Sequence, residues 1–234
     1  MISIRPAVEN DIEALCSFDL RAAEVQRCAA TRGCDGIVKI MPMDATQLKR
    51  IVIIGTSCSG KTTFARNLAQ ELNVQHIELD SIHWKPNWTP TPKEEFRSLA
   101  SAAATPEAWV LDGNYSAVRD ILWARATTLI WLNYPFYVVA WRALSRTFQH
   151  VFYRQVLYAG NRETFRQSFL SKDSILWWVV KTYRRRRQEY PRLFKEPAYR
   201  HLQIIVIASP AEAERFLQNI KLKVTNRSTT IQWT

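Results

Sequence analysis

Residues 50–72 constrain the fold more than any other part of this chain. The apolar, β-branched run Ile51-Val52-Ile53-Ile54 leads straight into Gly55-Thr56-Ser57-Cys58-Ser59-Gly60-Lys61-Thr62, a full match to G-x-x-x-x-G-K-T. Beyond it, Phe64, Ala65, Leu68, Ala69 and Leu72 fall at helical spacing. An uninterrupted run of this kind reads as a strand buried on both faces, and the glycines sit at the strand-to-helix junction. There they let the backbone curl until successive N–H groups converge, while the helix N-terminus adds its positive dipole end. Together these features describe a phosphate cradle. Lys61 is expected to reach β- and γ-phosphates and the Thr62 hydroxyl to ligate Mg²⁺. Gly55, Thr56, Ser57, Cys58, Ser59, Gly60 and Thr63 complete the expected nucleotide-binding set.

The alternation continues down the chain. Strands are expected at 75–79, 109–111, 128–132 and 203–207, and helices at 93–103, 136 to about 158, 174 to about 189 and 211–220. Gly160 to Asp173 is polar and reads as a loop. Strands alternating with helices imply a parallel sheet covered on both faces. The expected fold is therefore α/β with a five-stranded parallel sheet. Residues 47–222 form this domain, 1–46 an N-terminal β-α extension and linker, and 223–234 a polar, frayed tail.

Composition adds two constraints to the 234-residue chain. The net charge is +11, and residues 141–203 hold 14 basic against four acidic residues, or +10 of that total. Anionic partners are implied by this one segment and not by a generally basic surface. The four cysteines, Cys16, Cys28, Cys34 and Cys58, include no C-x-x-C pair, so reduced thiols and a cytoplasmic location are expected over zinc or a redox dithiol. No secretory signal pattern opens the chain, and the most apolar window, Leu129 to Trp141, is broken by Asn133 and Pro135 and falls short of a membrane span.

From about Arg50 to Leu217 the chain resembles the P-loop kinases, and within them the adenylate-kinase-like group that includes DNA topology modulation proteins. Beside the phosphate loop, the resemblance rests on Leu79-Asp80-Ser81-Ile82-His83-Trp84 with Pro86-Asn87-Trp88, on Trp109-Val110-Leu111-Asp112-Gly113-Asn114-Tyr115, on Leu129-Ile130-Trp131-Leu132-Asn133-Tyr134-Pro135, and on the arginine-rich region. It implies a three-layer α/β/α P-loop NTPase fold with strand order 2-3-1-4-5 and an arginine-rich helical lid, and ATP and Mg²⁺ as cofactors. It also implies that Asp80 holds the metal's water or orients the acceptor, and that Asp112, Asn114 and Tyr115 face the acceptor. Pro210 would lie near adenine. Relatives commonly carry Asp at the position of Asn133, which counts against a metal-associated carboxylate on the fourth strand. A turn-capping role remains open for Asp80, and a plain turn for Asp112 to Tyr115.

Three readings of the basic segment stay open. Arg142 and Arg146, one helical turn apart, and Arg162 and Arg166 at the same spacing, are expected to act as lid arginines over the phosphates. Arg184 to Arg187 could instead grip nucleic acid, or cover a solvated helix face, since four consecutive residues point to all sides of a helix. His83, Trp84 and Trp88 read either as an aromatic wall for the acceptor or as a satellite hydrophobic cluster. Met1 to about Gln26 resembles the opening strand and helix of Gcn5-related N-acetyltransferases, without room for an acetyl-CoA site before Arg50. The expectation is an ATP-dependent kinase with Lys61, Asp80, Arg162 and Arg166 as catalytic groups and a small acceptor, a nucleotide among the candidates. A nucleic-acid-binding ATPase is the alternative. No membrane partner is expected, and the oligomeric state is open.

Overall fold

Along β1 (Arg50–Gly55) the side chains alternate between two cores. Ile51 and Ile53 join one with Phe64, Leu68, Val110, Ile130 and Val139; Val52 and Ile54 join the other with Phe96, Trp109, Leu111, Leu122 and Trp131. This is the period-two consequence of a strand covered on both faces, and each of these core side chains is almost wholly withdrawn from water. The computed structural model describes residues 48–153 and 175–231. The N-terminal extension at 1–46 with its acetyltransferase-like piece, the loop expected at 160–173, and Arg162 and Arg166 lie outside the described residues.

The phosphate loop joins β1 to α1 (Lys61–Leu72). This helix stops at Asn73, whose left-handed φ of 52° lets its N–H reach back to Ala69 and Gln70 carbonyls. The chain continues through β2 (Gln75–Glu78), the one-turn helix α2 (Leu79–His83), and a two-stranded hairpin of β3 (Trp84–Lys85) and β4 (Thr89–Pro90). Next come α3 (Lys93–Ala103), β5 (Trp109–Asp112), α4 (Arg119–Arg125), β6 (Thr128–Leu132) and α5 (Phe136–Tyr153). After the undescribed residues follow α6 (Ile175–Leu193), β7 (Gln203–Ile207) and α7 (Pro210–Ile231).

Strands β2, β5, β1, β6 and β7 lie side by side in that order, all parallel. In chain-wide numbering this differs from 2-3-1-4-5, because the hairpin strands β3 and β4 intervene in sequence without entering the sheet. Among the sheet's own strands the succession is second, third, first, fourth, fifth. Register brings Ile53 level with Asp112 and Gly55 level with Leu132, so the loops after these strands open at one carboxyl edge. The helices α1 and α7 pack together on one face, with Phe64 and Phe216 rings 6.0 Å apart.

Three expectations need correction. The hairpin and the helices α2 and α4 were not anticipated, because each is too short for periodicity to show. Helix α6 runs four residues past Glu189 with Pro191 inside its last turn. The closing helix continues to Ile231 in place of a frayed tail from residue 223. At its start Ser209 accepts a hydrogen bond from the Glu212 N–H at 3.2 Å, and the Glu212 carboxylate accepts one from the Ala208 N–H at 2.8 Å, a capping arrangement with Pro210 in the first turn. Among the described residues no helix is long and apolar enough to cross a membrane.

Candidate active site

The loop after β1 is built from alternating backbone hands. Cys58 has φ 63° and Gly60 φ 89°, both left-handed, with Ser59 between them, and the Ser59 N–H closes a turn on the Thr56 carbonyl at 3.2 Å. Such alternation turns successive N–H groups toward one concavity, which is an anion nest. Gly60 is favoured by its backbone: a φ of 89° is unfavourable for an L side chain, and the Arg142 guanidinium lies close over it. The Ser59 hydroxyl is fully buried and has no hydrogen-bond partner among the described residues.

Lys61 is half-buried at the start of α1, and its Nζ donates to the Thr56 carbonyl at 2.9 Å. Burial pulls its pKa down to about 8, with the nearby Arg186 cation adding to the fall and Asp80 and Asp112 opposing it. Thr62 donates its hydroxyl hydrogen to Asp112 Oδ2 at 2.7 Å, while Thr63 is exposed. Ser57 and Thr56 lie in the same loop, Thr56 buried. A threonine hydroxyl whose hydrogen is held by a carboxylate keeps its lone pairs for a cation, so the residues fit Mg²⁺. No cluster of three or more His, Cys, Asp or Glu suited to a metal occurs among the described residues.

Asp112 is held from two sides. It is 3 % exposed, with Oδ2 on Thr62 and Oδ1 2.8 Å from His76 Nε2. One oxygen is thus engaged at the phosphate loop and the other on the neighbouring strand β2. Asn114 Oδ1 accepts from the Gly55 N–H at 3.2 Å and from the Tyr190 hydroxyl at 3.1 Å, and Nδ2 donates to the Gly55 carbonyl. It clamps the first residue of the loop. Gly113 makes this turn possible at φ 147°, pressed so close to Leu79 that a Cβ would lie 2.8 Å from that side chain.

Tyr115 and Asp80 are brought together. The Tyr115 hydroxyl donates to Asp80 Oδ1 at 2.6 Å, fixing a half-buried carboxylate at the start of α2. The Tyr115 ring lies 4.5 Å from His83 and 5.1 Å from Phe96, and Trp84 lies 4.8 Å from His83 and 5.6 Å from Trp88. The aromatic cluster is thus real and abuts the Asp80 carboxylate. Beside it a small space of about 10 Å³, room for about one water, is lined by the core side chains Val52, Ile54, Leu111 and Leu122 together with Asn114 and Tyr115. Arg119 is held by Glu189 at 2.9 Å and sits over the Trp123 ring.

The arginines separate by environment. Arg142 Nη1 donates to the Ser59 carbonyl at 2.6 Å, its guanidinium 5.3 Å from the Tyr134 ring, so it stands at the phosphate loop. Arg146 falls on α5 at a position whose side chain is outside those described. Arg184 and Arg185 are exposed, and Arg187 lies over the Tyr183 ring and donates to its hydroxyl at 2.5 Å. Arg186, only 8 % exposed, turns inward and donates to the Gly55 carbonyl at 3.2 Å. Among the described residues it makes no ion pair, and burial holds its guanidinium below the ordinary arginine range. Sequence reasoning missed Arg186 because four identical neighbours conceal which one faces the core; the helical phase of Tyr183 and Tyr190, three residues before and four after it, could have pointed to it. It missed His76 because a lone histidine on an edge strand carries no motif.

Pro210 stands at the carboxyl end of β7, in the first turn of α7, and Asn133 follows β6, its N–H donating to the Ile207 carbonyl at 2.9 Å.

Comparison with known proteins gives one family. A family model described as an AAA domain matches residues 51–227. Among solved structures, a gluconokinase from Sinorhizobium meliloti 1021 is 17% identical, with 80% of this chain and 98% of that chain covered and a TM-score of 0.45. A shikimate kinase from Bacteroides thetaiotaomicron is 17% identical, with 74% and 97% covered and a TM-score of 0.46. No curated protein matches the chain.

Proposed function

The chain belongs to the AAA domain family, and we propose that it is an ATP-dependent kinase that transfers a γ-phosphoryl group to a small hydroxyl-bearing acceptor. The observation that carries this reading is the Thr62–Asp112 hydrogen bond beside Lys61: a cation-ready hydroxyl and a phosphate-seeking ammonium stand at one end of an N–H nest. Bound Mg²⁺ would supply charge neutralisation between the β- and γ-phosphates. Thr62 is the protein ligand we assign to it, and Asp80 would hold its water or receive the acceptor proton. Tyr115 orients Asp80 through the 2.6 Å hydrogen bond. The backbone of Gly55 to Gly60 and the Thr63 region cradle the phosphates, Arg142 braces that loop, and Pro210 bounds the adenine.

Arg186 adds a second buried cation to the phosphate side. A guanidinium spending one donor on a carbonyl, with no carboxylate paired to it among the described residues, is suited to the negative charge that develops on a transferring phosphoryl group. Arg146, Arg162 and Arg166 keep the lid role as part of the same proposal. The acceptor is assigned to the surface beside Asp80 and Tyr115, where an ordered carboxylate and aromatic rings meet.

The test is ATP-dependent phosphorylation of a panel of nucleoside monophosphates, sugars and hydroxylated metabolites, run with the parent chain and with Lys61→Ala. A product formed by the parent and lost by orders of magnitude in a folded Lys61→Ala variant is the expected result. Unchanged turnover in that variant would sink the assignment. Lys49→Ala, just before β1, serves as the control that leaves turnover unaltered.

A further inference from the structure

We propose that His76 is a positioning residue for the Thr62 hydroxyl, acting through Asp112; this rests on the kinase reading above, in which Thr62 meets the metal. The three side chains form one hydrogen-bonded line: His76 Nε2 to Asp112 Oδ1 at 2.8 Å, and Thr62 Oγ1 to Asp112 Oδ2 at 2.7 Å. An ionised carboxylate only accepts, so Nε2 carries the hydrogen and donates it.

The fold produces this line from sheet register. His76 is level with Val110, and Asp112 lies two residues further along β5, so both project from the same sheet face. That face also carries Ile51 and Ile53, level with Val110 and Asp112, and is the one that α1 covers. Thr62, in the first turn of α1, therefore meets Asp112 from above while His76 meets it from the neighbouring strand.

Asp112 is 3 % exposed, so water cannot hold it in place and protein donors must. With Thr62 alone, the carboxylate could swing about its last torsion and let the hydroxyl rotate its hydrogen toward the cation. The donor from His76, itself 16 % exposed, locks the second oxygen. The Thr62 hydrogen then stays on Asp112, and its lone pairs stay on the metal side. Outer groups that orient a metal's own ligand in this way change metal affinity by about 10–100-fold when removed.

The experiment measures ADP binding by calorimetry to the full chain, without metal and across a Mg²⁺ titration. His76→Leu removes the donor. His76→Asn keeps a polar side chain but ends short of Asp112, and guards against a Leu variant that fails to fold. His76→Gln restores an N–H at nearly the original reach. The expected result is metal-free ADP affinity unchanged in all three. The Mg²⁺ concentration needed to tighten ADP should rise about tenfold in the Leu and Asn variants and return close to the parent value in Gln. A parent-like Mg²⁺ midpoint in the folded Asn or Leu variant overturns the inference. So does an equal loss with and without metal, which would mark a purely structural role, or a Gln variant as impaired as Leu. A parent chain that binds ADP neither with nor without Mg²⁺ overturns the kinase reading and this inference with it; a parent that binds while the variants match it overturns the inference alone.

Discussion

Lys61 carries its charge under opposing influences, and its pKa of about 8 reflects burial first and Arg186 second, against Asp80 and Asp112. A bound polyphosphate favours the ammonium and raises that pKa in the complex. Well below pH 8 Lys61 of the free protein is already charged and binding moves no proton onto it. Above it the free protein loses the proton that the complex keeps, so metal-free ADP affinity should fall with rising pH, at most about tenfold per pH unit, until the complex too deprotonates. Calorimetry in buffers of different ionisation enthalpy should register uptake of up to one proton per ADP near pH 9, a Lys61 contribution that fades as the pH falls toward 7, below which release from the ADP terminal phosphate takes over. Lys61→Arg, charged throughout, should flatten both trends; a dependence that survives in it would assign the proton elsewhere. The phosphate loop and Lys61 were legible in the sequence because backbone curvature demands glycine and phosphate demands a cation at fixed spacing. Asp112 and Asn114 were legible as polar residues at a strand end, but not in their direction. Their hydrogen bonds to Thr62, His76 and the Gly55 backbone depend on the neighbouring strand and the folded loop, which no local pattern displays.

Helix α6 is the element whose role differs most from its sequence appearance. Tyr183 packs in the core with Phe136 and Val139, while Tyr190 and Phe194 enter the core on the other sheet face, so the helix crosses behind the phosphate loop. Its inward stripe brings Arg186 to the Gly55 carbonyl and the Tyr190 hydroxyl to Asn114, which holds Gly55 from the other side. Arg184 to Arg187 therefore do not act as one patch. Arg186→Met keeps the bulk of the aliphatic stem and removes the cation, and should lower kcat by about a hundredfold or more if the guanidinium meets the transferring phosphoryl group. Arg185→Ala, on the exposed face of the same turn, should leave kcat within about twofold. Equal effects would mean that α6 matters only as packing, visible as matched losses in melting temperature. The sheet's strands were readable from apolar runs, and α1 and α3 from spacing. The hairpin at Trp84 to Pro90, held by left-handed Asn87 and Trp88, and the short α4 were not, since neither is long enough to complete a hydrophobic period.

At the scale of the molecule, the question is where the +10 of residues 141–203 is directed. Part of it points inward: Arg142 holds the Ser59 carbonyl, Arg186 the Gly55 carbonyl, and Arg187 the Tyr183 ring. Lys181, Arg184, Arg185, Arg192, Lys195 and Arg200 are exposed, but they are spread along α6 and the loop after it, and the exposed Glu196 lies among them. A nucleic-acid grip needs several cations converging on successive phosphates, each contributing roughly 0.9 to the slope of log affinity against log salt. With Arg186 and Arg187 turned to the protein, the arginine run itself presents two exposed cations, so duplex DNA should bind weakly with a shallow slope, about two at most from this run. Binding to a labelled 30-base-pair duplex between 50 and 200 mM salt measures this, with Arg184→Ala/Arg185→Ala beside the parent. The expected outcome is a weak complex already lost near 200 mM salt, and parent-like phosphoryl transfer in the double variant. A tight complex with a steep slope that the double variant flattens, together with DNA-stimulated ATP hydrolysis, would transfer the basic segment from the phosphoryl site to nucleic acid. The chain would then be an ATP-switched DNA binder that uses the outward face of α6, with its inward face still bracing the phosphate loop.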